Sequence, residues 1–220
     1  MKIGILVAMG MEEGCLARHI EQQQPETRGG KKFLRGNIGQ AEVVLHRCGW
    51  GMAHAARGVR ALVDHHKPDL IVNYGVSGGM NPDIQLGDTV IASSSIPCLG
   101  RAYTANKAEA TDQALAEFAA GVLLNAKTAP VCTSQALIVN IKRKARIAAK
   151  TGAVCCDMET YTAAKAANEL GIPLLVIRSL SDTMQPKSMV HFFKNGKAAA
   201  IKVAKETEQV IKALAERSAS

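Results

Sequence analysis

Acidic and basic side chains follow two apolar segments in the second half of the chain, at a spacing that could support chemistry. The stretch from Cys156 to Asp182 contains an acidic turn, an alanine-rich segment, and an apolar run that ends in Arg-x-x-x-Asp. A strand, a helix and a second strand in this order place Glu159, Arg178 and Asp182 near one rim of a sheet. Open α/β sheets bind ligands outside the carboxyl ends of their strands. One carboxylate there could hold a sugar, and another could protonate a leaving group.

The two aspartates of this stretch invite different interpretations. A carboxylate at a strand end can cap the next helix, which explains Asp157 well. It explains Asp182 less well, because Arg178 and Ser181 lie beside it and a polar segment containing a proline follows. A partly desolvated aspartate at this position would have a raised pKa, as a general acid requires.

Glu12 follows the first apolar segment, in the sequence Ala-Met-Gly-Met-Glu-Glu. A carboxylate in the first turn of a helix commonly stabilises the helix dipole. Position alone therefore favours a capping or dipole role for Glu12. Only its convergence with the other motifs favours catalysis.

Two glycine-rich segments also follow apolar runs. The first, Gly49-Trp50-Gly51, is not a dinucleotide-binding fingerprint, because His54 stands where the third glycine would be. The second runs from Asn73 to Gly79 and contains three glycines and a serine. It could cradle a sugar or a phosphate, or it could be a tight turn that needs positive φ. The sequence leaves both interpretations open.

Composition narrows the classes of partner. The 220 residues carry a net charge of +8 and are 47% hydrophobic but only 4% aromatic. The basic residues cluster most clearly between 142 and 150, without the interleaved aromatic residues that stack on single-stranded nucleic acid. We therefore expect no nucleic-acid partner and interpret the cluster as a solvated helix face. Its members are Lys142, Arg143, Lys144, Arg146 and Lys150.

The histidines and cysteines do not have the spacing of a metal site. The chain contains neither an H-E-x-x-H motif nor a C-x-x-C pair, so we predict no metal and no other cofactor. Six cysteines without a preceding secretory segment fit reduced thiols and a cytoplasmic location. The apolar runs are shorter than the roughly 20 residues that cross a bilayer, so we predict no transmembrane segment.

Apolar runs of strand length alternate with segments of helical periodicity. This alternation predicts an α/β fold, in one domain over residues 1–220, with a central mixed, largely parallel sheet flanked by helices. We also predict a hairpin between residues 32 and 47 and fraying beyond Ala215. The predicted strands are 3–8, 42–47, 70–73, 89–92, 153–156 and 174–178, and the predicted helices are 11–22, 52–66, 110–124, 137–150, 161–170 and 198–217.

Taken together, these motifs resemble the nucleoside phosphorylase superfamily, and in particular the 5′-methylthioadenosine/S-adenosylhomocysteine nucleosidases. The amino terminus through Glu12 is similar, as are Lys67-Pro68-Asp69 before the glycine-rich segment and Gly87-Asp88 before a strand. The most specific similarities are Asp-Met-Glu at 157–159 and Arg-Ser-Leu-Ser-Asp at 178–182. The resemblance covers residues 1–93 and 127–193.

The resemblance implies cleavage of the N-glycosidic bond of a purine nucleoside, which would be the small-molecule partner, by a homodimer. Asp182 would protonate the departing base and Glu12 would orient or deprotonate the attacking water. Carboxylates near the sugar would stabilise a transition state that resembles an oxocarbenium ion. The resemblance further implies that ribose is bound by Glu159, Met158, Met9 and Arg178, and that Arg178 supports Glu159 or Glu12. The base would be bound by Leu137, Ile138 and Ser181. The nucleophile or phosphate pocket would lie at Val76, Ser77 and Gly78, and the 5′-group pocket at Phe192.

Three alternatives stay open. Val76 in place of a serine, the short segment 93–103 and Thr-Gly-Ala-Val at 151–154 are more similar to the hopanoid-associated phosphorylase branch, which would act on adenosylhopane. Phosphate could replace water as nucleophile, although Asn73 stands where the hexameric phosphorylases have an arginine; Arg47 or Arg57 could substitute. The third alternative is a non-catalytic nucleoside-binding protein. The joint presence of Glu12, Glu159 and Asp182 argues against this alternative.

Overall fold

The structure, a computed structural model, describes residues 1–99, 102–103, 107–184 and 188–219. Strands and helices alternate through most of this part of the chain. The strands are β1 (Lys2–Val7), β2 (Glu21–Arg28), β3 (Lys31–Ile38), β4 (Ala41–Arg47), β5 (Leu70–Gly79), β6 (Thr89–Leu99), β7 (Ala102–Tyr103), β8 (Glu109–Ala110), β9 (Lys127–Ser134), β10 (Cys155–Asp157) and β11 (Leu174–Asp182). The helices are α1 (Gly10–Ala17), α2 (Met52–His66), α3 (Gln113–Val122), α4 (Ile141–Thr151), α5 (Thr160–Leu170) and α6 (Ser188–Ala219).

These strands form one mixed sheet in the order β10-β9-β6-β11-β5-β1-β4-β3-β2, with β7 and β8 paired to β6. The central strands β4, β1, β5 and β11 run parallel to one another, whereas β6 is antiparallel to β11. Strand β10 also pairs antiparallel with the end of β5. That extra pairing closes β5, β11, β6, β9 and β10 into a ring. The predicted α/β fold with a mixed sheet flanked by helices is confirmed.

The central strands are buried on both faces of the sheet, and the side chains of β1 alternate between two core clusters. In β1, Ile3 and Ile5 belong to a core cluster shared with α1 and α6. Leu6, which points to the opposite face, belongs to a second cluster shared with α2 and α5. Successive side chains of a strand point to opposite faces of the sheet, so membership of the two clusters changes with each residue. A mostly aliphatic composition suits it, because β-branched and other aliphatic side chains pack closely on a sheet buried on both faces.

The register brings the carboxyl ends of three central strands together. Leu6 pairs with Asn73 across β1 and β5, and Leu180 pairs with Ser77 across β11 and β5. Cys156 of β10 pairs with Gly78 at the same end of β5. The segments that follow β1, β5 and β11 therefore meet at one edge, as the sequence predicted for parallel strands. Strand β10 reaches the same edge although it is antiparallel to β5.

Several predicted element boundaries were wrong. The helix predicted over 11–22 ends at Ala17, and the unpredicted strand β2 follows. This polar, largely exposed edge strand pairs on one side, with β3, and has no apolar pattern to reveal it. Strand β9 was also missed. Helix α4 begins at Ile141 rather than Leu137, after the Asn140 cap, and α6 begins ten residues early and continues past Ala215 to Ala219.

The predicted hairpin is confirmed by β3 and β4, which pair antiparallel around Gly39 and Gln40. Part of the segment 93–103, residues 100–101, lies outside the described residues. Within the described ranges, the six cysteines are free, and no cluster of three histidine, cysteine or acidic side chains is placed to hold a metal. No helix in those ranges has both the length and the apolar character to span a bilayer.

Close packing of α2 on the sheet makes Gly58 a test of the fold. An added Cβ would lie 2.6 Å from Leu6 Cδ1 and 2.7 Å from Cys48 Cβ. We predict that Gly58→Ala lowers the free energy of unfolding, measured by urea denaturation, by about 1–3 kcal/mol, although alanine favours helices. The matched control is Gly14→Ala in α1, where a Cβ meets nothing within 4 Å. Equal effects of the two substitutions would contradict this account of the packing.

Candidate active site

A pocket opens at the sheet edge where the carboxyl ends of β1, β5, β10 and β11 meet. About 670 Å³ of space between its walls is free of protein atoms, including the open solvent at its mouth. The predicted site residues line it, with the exception of Arg178. Its lining residues are Ala8, Met9, Glu12, Trp50, Val76, Ser77, Gly78, Leu137, Ile138, Val139, Lys144, Cys156, Asp157, Met158, Glu159, Ser181, Asp182 and Phe192.

Glu12 is buried at the start of α1, and backbone amides from two elements hold its carboxylate. Oε2 accepts a hydrogen bond from Met9 N–H at 2.9 Å, and Oε1 accepts one from Val76 N–H at 2.9 Å. An added Cβ on Gly75 would lie 2.5 Å from Oε1, so only glycine permits this approach. Glu12 therefore closes its own helix terminus, as the simpler interpretation held, and also reaches across to β5. Burial raises the pKa of its carboxyl, and the two amides oppose that rise.

Arg178 lies in the interior, and its guanidinium joins four elements. Nε donates to Asp157 Oδ2 at 2.8 Å, and Nη2 donates both to Asn73 Oδ1 at 2.5 Å and to Thr160 Oγ1 at 2.8 Å. The predicted support of Glu159 or Glu12 thus does not take the form of a direct hydrogen bond. Burial opposes the charge on Arg178, yet the carboxylates of Asp157, Glu159 and Glu12 together hold its pKa above the usual range.

Asp157 has the structural role that its position suggested. Its Oδ1 accepts hydrogen bonds from Thr133 Oγ1 at 2.7 Å and from Thr160 N–H at 3.2 Å. These bonds tie β9, β10 and the start of α5 together. The carboxylate also pairs with Arg178, so a buried anion and a buried cation neutralise each other.

Glu159 lies directly before α5 and faces the glycine turn that precedes α2. Its Oε1 accepts a hydrogen bond from Gly51 N–H at 2.7 Å, and Oε2 accepts one from Met158 N–H at 3.2 Å. Burial and the negative charge of Asp157 raise the pKa of the Glu159 carboxyl to about 7. The segment around Trp50, a weak signal in the sequence, thus serves to hold a carboxylate.

Asp182 ends β11 beside the ammonium group of Lys144. The Lys144 Nζ to Asp182 Oδ2 distance is 2.6 Å, and both side chains are buried. Burial raises the pKa of Asp182, and the hydrogen bond and charge of Lys144 oppose this rise. Assigning Lys144 to a solvated helix face was wrong. Lys142, Arg146 and Lys150 are exposed as expected, but Lys144 and Ile147 share the buried stripe of α4.

Most of the remaining predicted residues contribute apolar side chains to the pocket wall, and Ser181 makes a hydrogen bond to the backbone of β5. Ile138 is buried, whereas Leu137 is about half exposed, and both lie in the loop before α4. Ser181 Oγ donates to Ser77 O at 3.2 Å, which joins β11 to β5 behind the pocket floor. Phe192, Met9 and Met158 line the pocket. Trp50 and Val139, which had no predicted ligand contact, extend the apolar surface outward and are about half exposed.

Glu12 and Asp182 approach the same strand at different points. Glu12 packs against Gly75 and Asp182 against Gly78, three residues apart and so separated by about 10 Å along an extended strand. Glu159 faces the same pocket. Two carboxylates held by backbone amides and an acid beside a cation could stabilise a positively charged sugar and protonate a group that leaves from it.

Comparisons with known proteins identify the family of the chain. Residues 2–216 match the family model described as "Phosphorylase superfamily". A 5′-methylthioadenosine/S-adenosylhomocysteine nucleosidase of Geobacillus kaustophilus (strain HTA426) is 30% identical over an alignment of 211 positions, which covers 87% of this chain and 88% of that protein.

Solved structures show the same similarity. The nucleosidase of the same name from S. pneumoniae, with a transition-state inhibitor, has a TM-score of 0.89 at 26% identity and covers 97% of this chain and 100% of its own. A futalosine hydrolase mutant from Helicobacter pylori strain 26695, at 18% identity and a TM-score of 0.88, covers 97% of this chain and 99% of its own and shows the shared fold. The chain therefore belongs to the phosphorylase superfamily of enzymes that cleave glycosidic bonds of nucleosides.

Proposed function

We propose that this enzyme hydrolyses the N-glycosidic bond of an adenine nucleoside with a modified 5′ position and releases adenine. The observation that carries the proposal is the placement of Glu12 and Asp182 against one strand, at Gly75 and Gly78, in a pocket that Glu159 also lines. A nucleoside needs this separation of charges, because water attacks the sugar while a proton reaches the base. Relatives named 5′-methylthioadenosine/S-adenosylhomocysteine nucleosidases support the substrate class.

Each carboxylate has a distinct proposed task. Glu12, fixed by two amides, orients and deprotonates the attacking water. Glu159 accepts hydrogen bonds from the ribose hydroxyls, and its charge stabilises the oxocarbenium-like transition state. Asp182 protonates a ring nitrogen of the purine, which removes the anion that makes the base a poor leaving group. Arg178 positions these groups through Asp157 and Asn73.

The other predicted contacts keep their proposed tasks. Leu137, Ile138 and Ser181 contact the base, Met9 and Met158 pack against the sugar, and Phe192 contacts the 5′ group. Val76, Ser77 and Gly78 form the floor where the nucleophile binds. All of these residues line the pocket. A homodimer and a cytoplasmic location stay predictions.

Water is favoured over phosphate as the nucleophile because of how Glu12 is bound. The Val76 amide, which could otherwise donate to a phosphate, donates to the Glu12 carboxylate instead. A buried carboxylate repels an incoming phosphate anion but accepts a proton from water. The amide of Asn73 donates to Leu6 O, and its oxygen accepts from Arg178. Arg47, one proposed substitute for the phosphorylase arginine, pairs with Glu13.

A second candidate substrate is adenosylhopane, in which the 5′ substituent is a large hydrocarbon. The half-exposed apolar side chains of Trp50, Leu137 and Val139 at the pocket favour it. Apolar surface of this kind, contiguous with a ligand pocket, suits an apolar extension of the ligand.

The direct test measures adenine release from methylthioadenosine, S-adenosylhomocysteine, adenosine and adenosylhopane, with and without phosphate. We expect release without phosphate and a preference that identifies the 5′ group. Release that requires phosphate would overturn the hydrolytic proposal. Absence of release from all four would overturn the proposed function.

Two variants test the proposed catalytic roles of Asp182 and Glu12. Asp182→Asn cannot donate the proton, and we expect kcat to fall by about 10²–10⁴-fold. The melting temperature should also fall, because the variant leaves the buried Lys144 ammonium without its carboxylate. Glu12→Gln should reduce kcat by a similar factor, because the amide cannot accept the proton of water. If Glu12→Gln lowers only the melting temperature, Glu12 serves the helix terminus alone.

Glu159→Gln should separate stability from binding. The pKa of the Glu159 carboxyl is about 7 in the folded protein, above its usual value of 4.5. Between these two pH values the native state binds one more proton than the unfolded state. The free energy of unfolding therefore falls as the pH rises from 4.5 to about 7. The variant should therefore have a higher melting temperature than the wild type at about pH 8. It should lack this advantage at about pH 4, where Glu159 of the wild type is largely protonated in both the folded and the unfolded state. Calorimetry should show weaker nucleoside binding by the variant, and wild-type affinity that increases as pH rises through about 7. An equal melting difference at both pH values would contradict this explanation.

A further inference from the structure

Lys144 is a buried lysine on α4, whose other lysines, Lys142 and Lys150, are exposed. Its side chain is 2% exposed, and its ammonium lies 2.6 Å from Asp182 Oδ2. It lines the same pocket as Glu12 and Glu159. An added Cβ on Gly78 would lie 2.8 Å from Asp182 Oδ1 and 3.3 Å from Lys144 Nζ, so the pair rests directly on the backbone of β5.

Stability alone does not explain this ion pair. Removing two charges from water costs several kcal/mol each, and apolar replacements of buried pairs are often equally stable. Lysine also gives up its proton more readily than arginine when it is buried. A lysine that reaches the acid of a ligand pocket is therefore suited to proton transfer.

We propose that Lys144 is a positioning residue that holds Asp182 in place and resupplies the proton that Asp182 passes to the leaving base. The proposal rests on the proposed function and deepens it. Between turnovers the pair is an ammonium and a carboxylate that share one labile proton.

The proton balance of one turnover closes. The Lys144 ammonium transfers a proton to the Asp182 carboxylate, and Asp182 donates it to the ring nitrogen of the base as the bond between sugar and base breaks. The electrons of that bond pass into the base, which leaves neutral. Water adds hydroxide to the sugar carbon and gives its other proton to Glu12. Glu12 then releases a proton to solvent, and the neutral Lys144 amine takes one up.

The other groups around Asp182 come from two further elements. Cys156 of β10 interacts electrostatically with both Lys144 and Asp182, and burial raises the pKa of its thiol, so it stays neutral. His191 of α6 acts on Asp182 electrostatically and opposes the effect of burial on its pKa, as Lys144 does. Removing Lys144 takes away the nearest cation, and the pKa of Asp182 then rises further.

Three variants test the proposal through the pH profile of kcat/KM. In Lys144→Met, Asp182 must keep the proton by itself, so the basic limb should move to lower pH, with about a 100-fold loss on the basic side and a much smaller loss on the acidic side. In Lys144→Arg, the guanidinium does not release a proton, so we expect about a 100-fold loss at every pH at which Asp182 is ionised. Lys142→Met, an exposed neighbour on α4, should retain the wild-type profile.

A second measurement does not depend on turnover. In protein labelled with ¹³C-aspartate, the Asp182 carboxyl resonance, assigned with Asp182→Asn, should titrate at higher pH in Lys144→Met than in the wild type. Titration at the same pH in both proteins would overturn the proposal. An unshifted basic limb in Lys144→Met, or full activity of Lys144→Arg, would do so as well. A wild type that releases no adenine but shows the expected shift would refute the proposed function and leave the ion-pair assignment intact.

Discussion

The buried guanidinium of Arg178 is the interaction on which the rest of the site depends. It binds Asp157 at the end of β10, Asn73 of β5 and Thr160 of α5, so one cation on β11 fixes the relative positions of four elements. The same charge acts on the carboxylates of Glu159 and Glu12. Without it, several buried carboxylates would repel each other with little water to screen them.

This electrostatic arrangement suits a reaction in which positive charge develops on a sugar. Carboxylates held by amides in a poorly solvated pocket need little reorganisation when that charge appears. Glu12 and Glu159 have such amide partners, from Val76 and Gly51. Asp182 instead has the Lys144 ammonium as its partner. It lies where the leaving base requires a proton and not a negative charge. In the proposed mechanism, the pocket therefore separates the groups that stabilise a cation from the group that supplies a proton.

The sequence was sufficient to predict the central fold and most of the pocket, because strong local patterns determine both. Apolar runs revealed β1, β5 and β11, and polar residues just beyond them gave Glu12 and Asp182. Strand β2 could not be predicted, since its polar residues form an edge strand through pairing with β3. Lys144 was hidden for another reason. Its burial depends on the rotation of α4 toward β11, and only its spacing of three from Ile147 was a signal.

The most direct test of the account compares two tightly matched ligands. A purine nucleoside analogue with a protonated nitrogen in the sugar ring mimics the cationic transition state, and its uncharged isostere does not. If Glu12 and Glu159 stabilise that charge, calorimetry should show the cationic analogue binding at least about 10²-fold more tightly, as expected for transition-state mimics. Equal affinity of the two analogues would contradict the central claim that these carboxylates stabilise a cationic sugar.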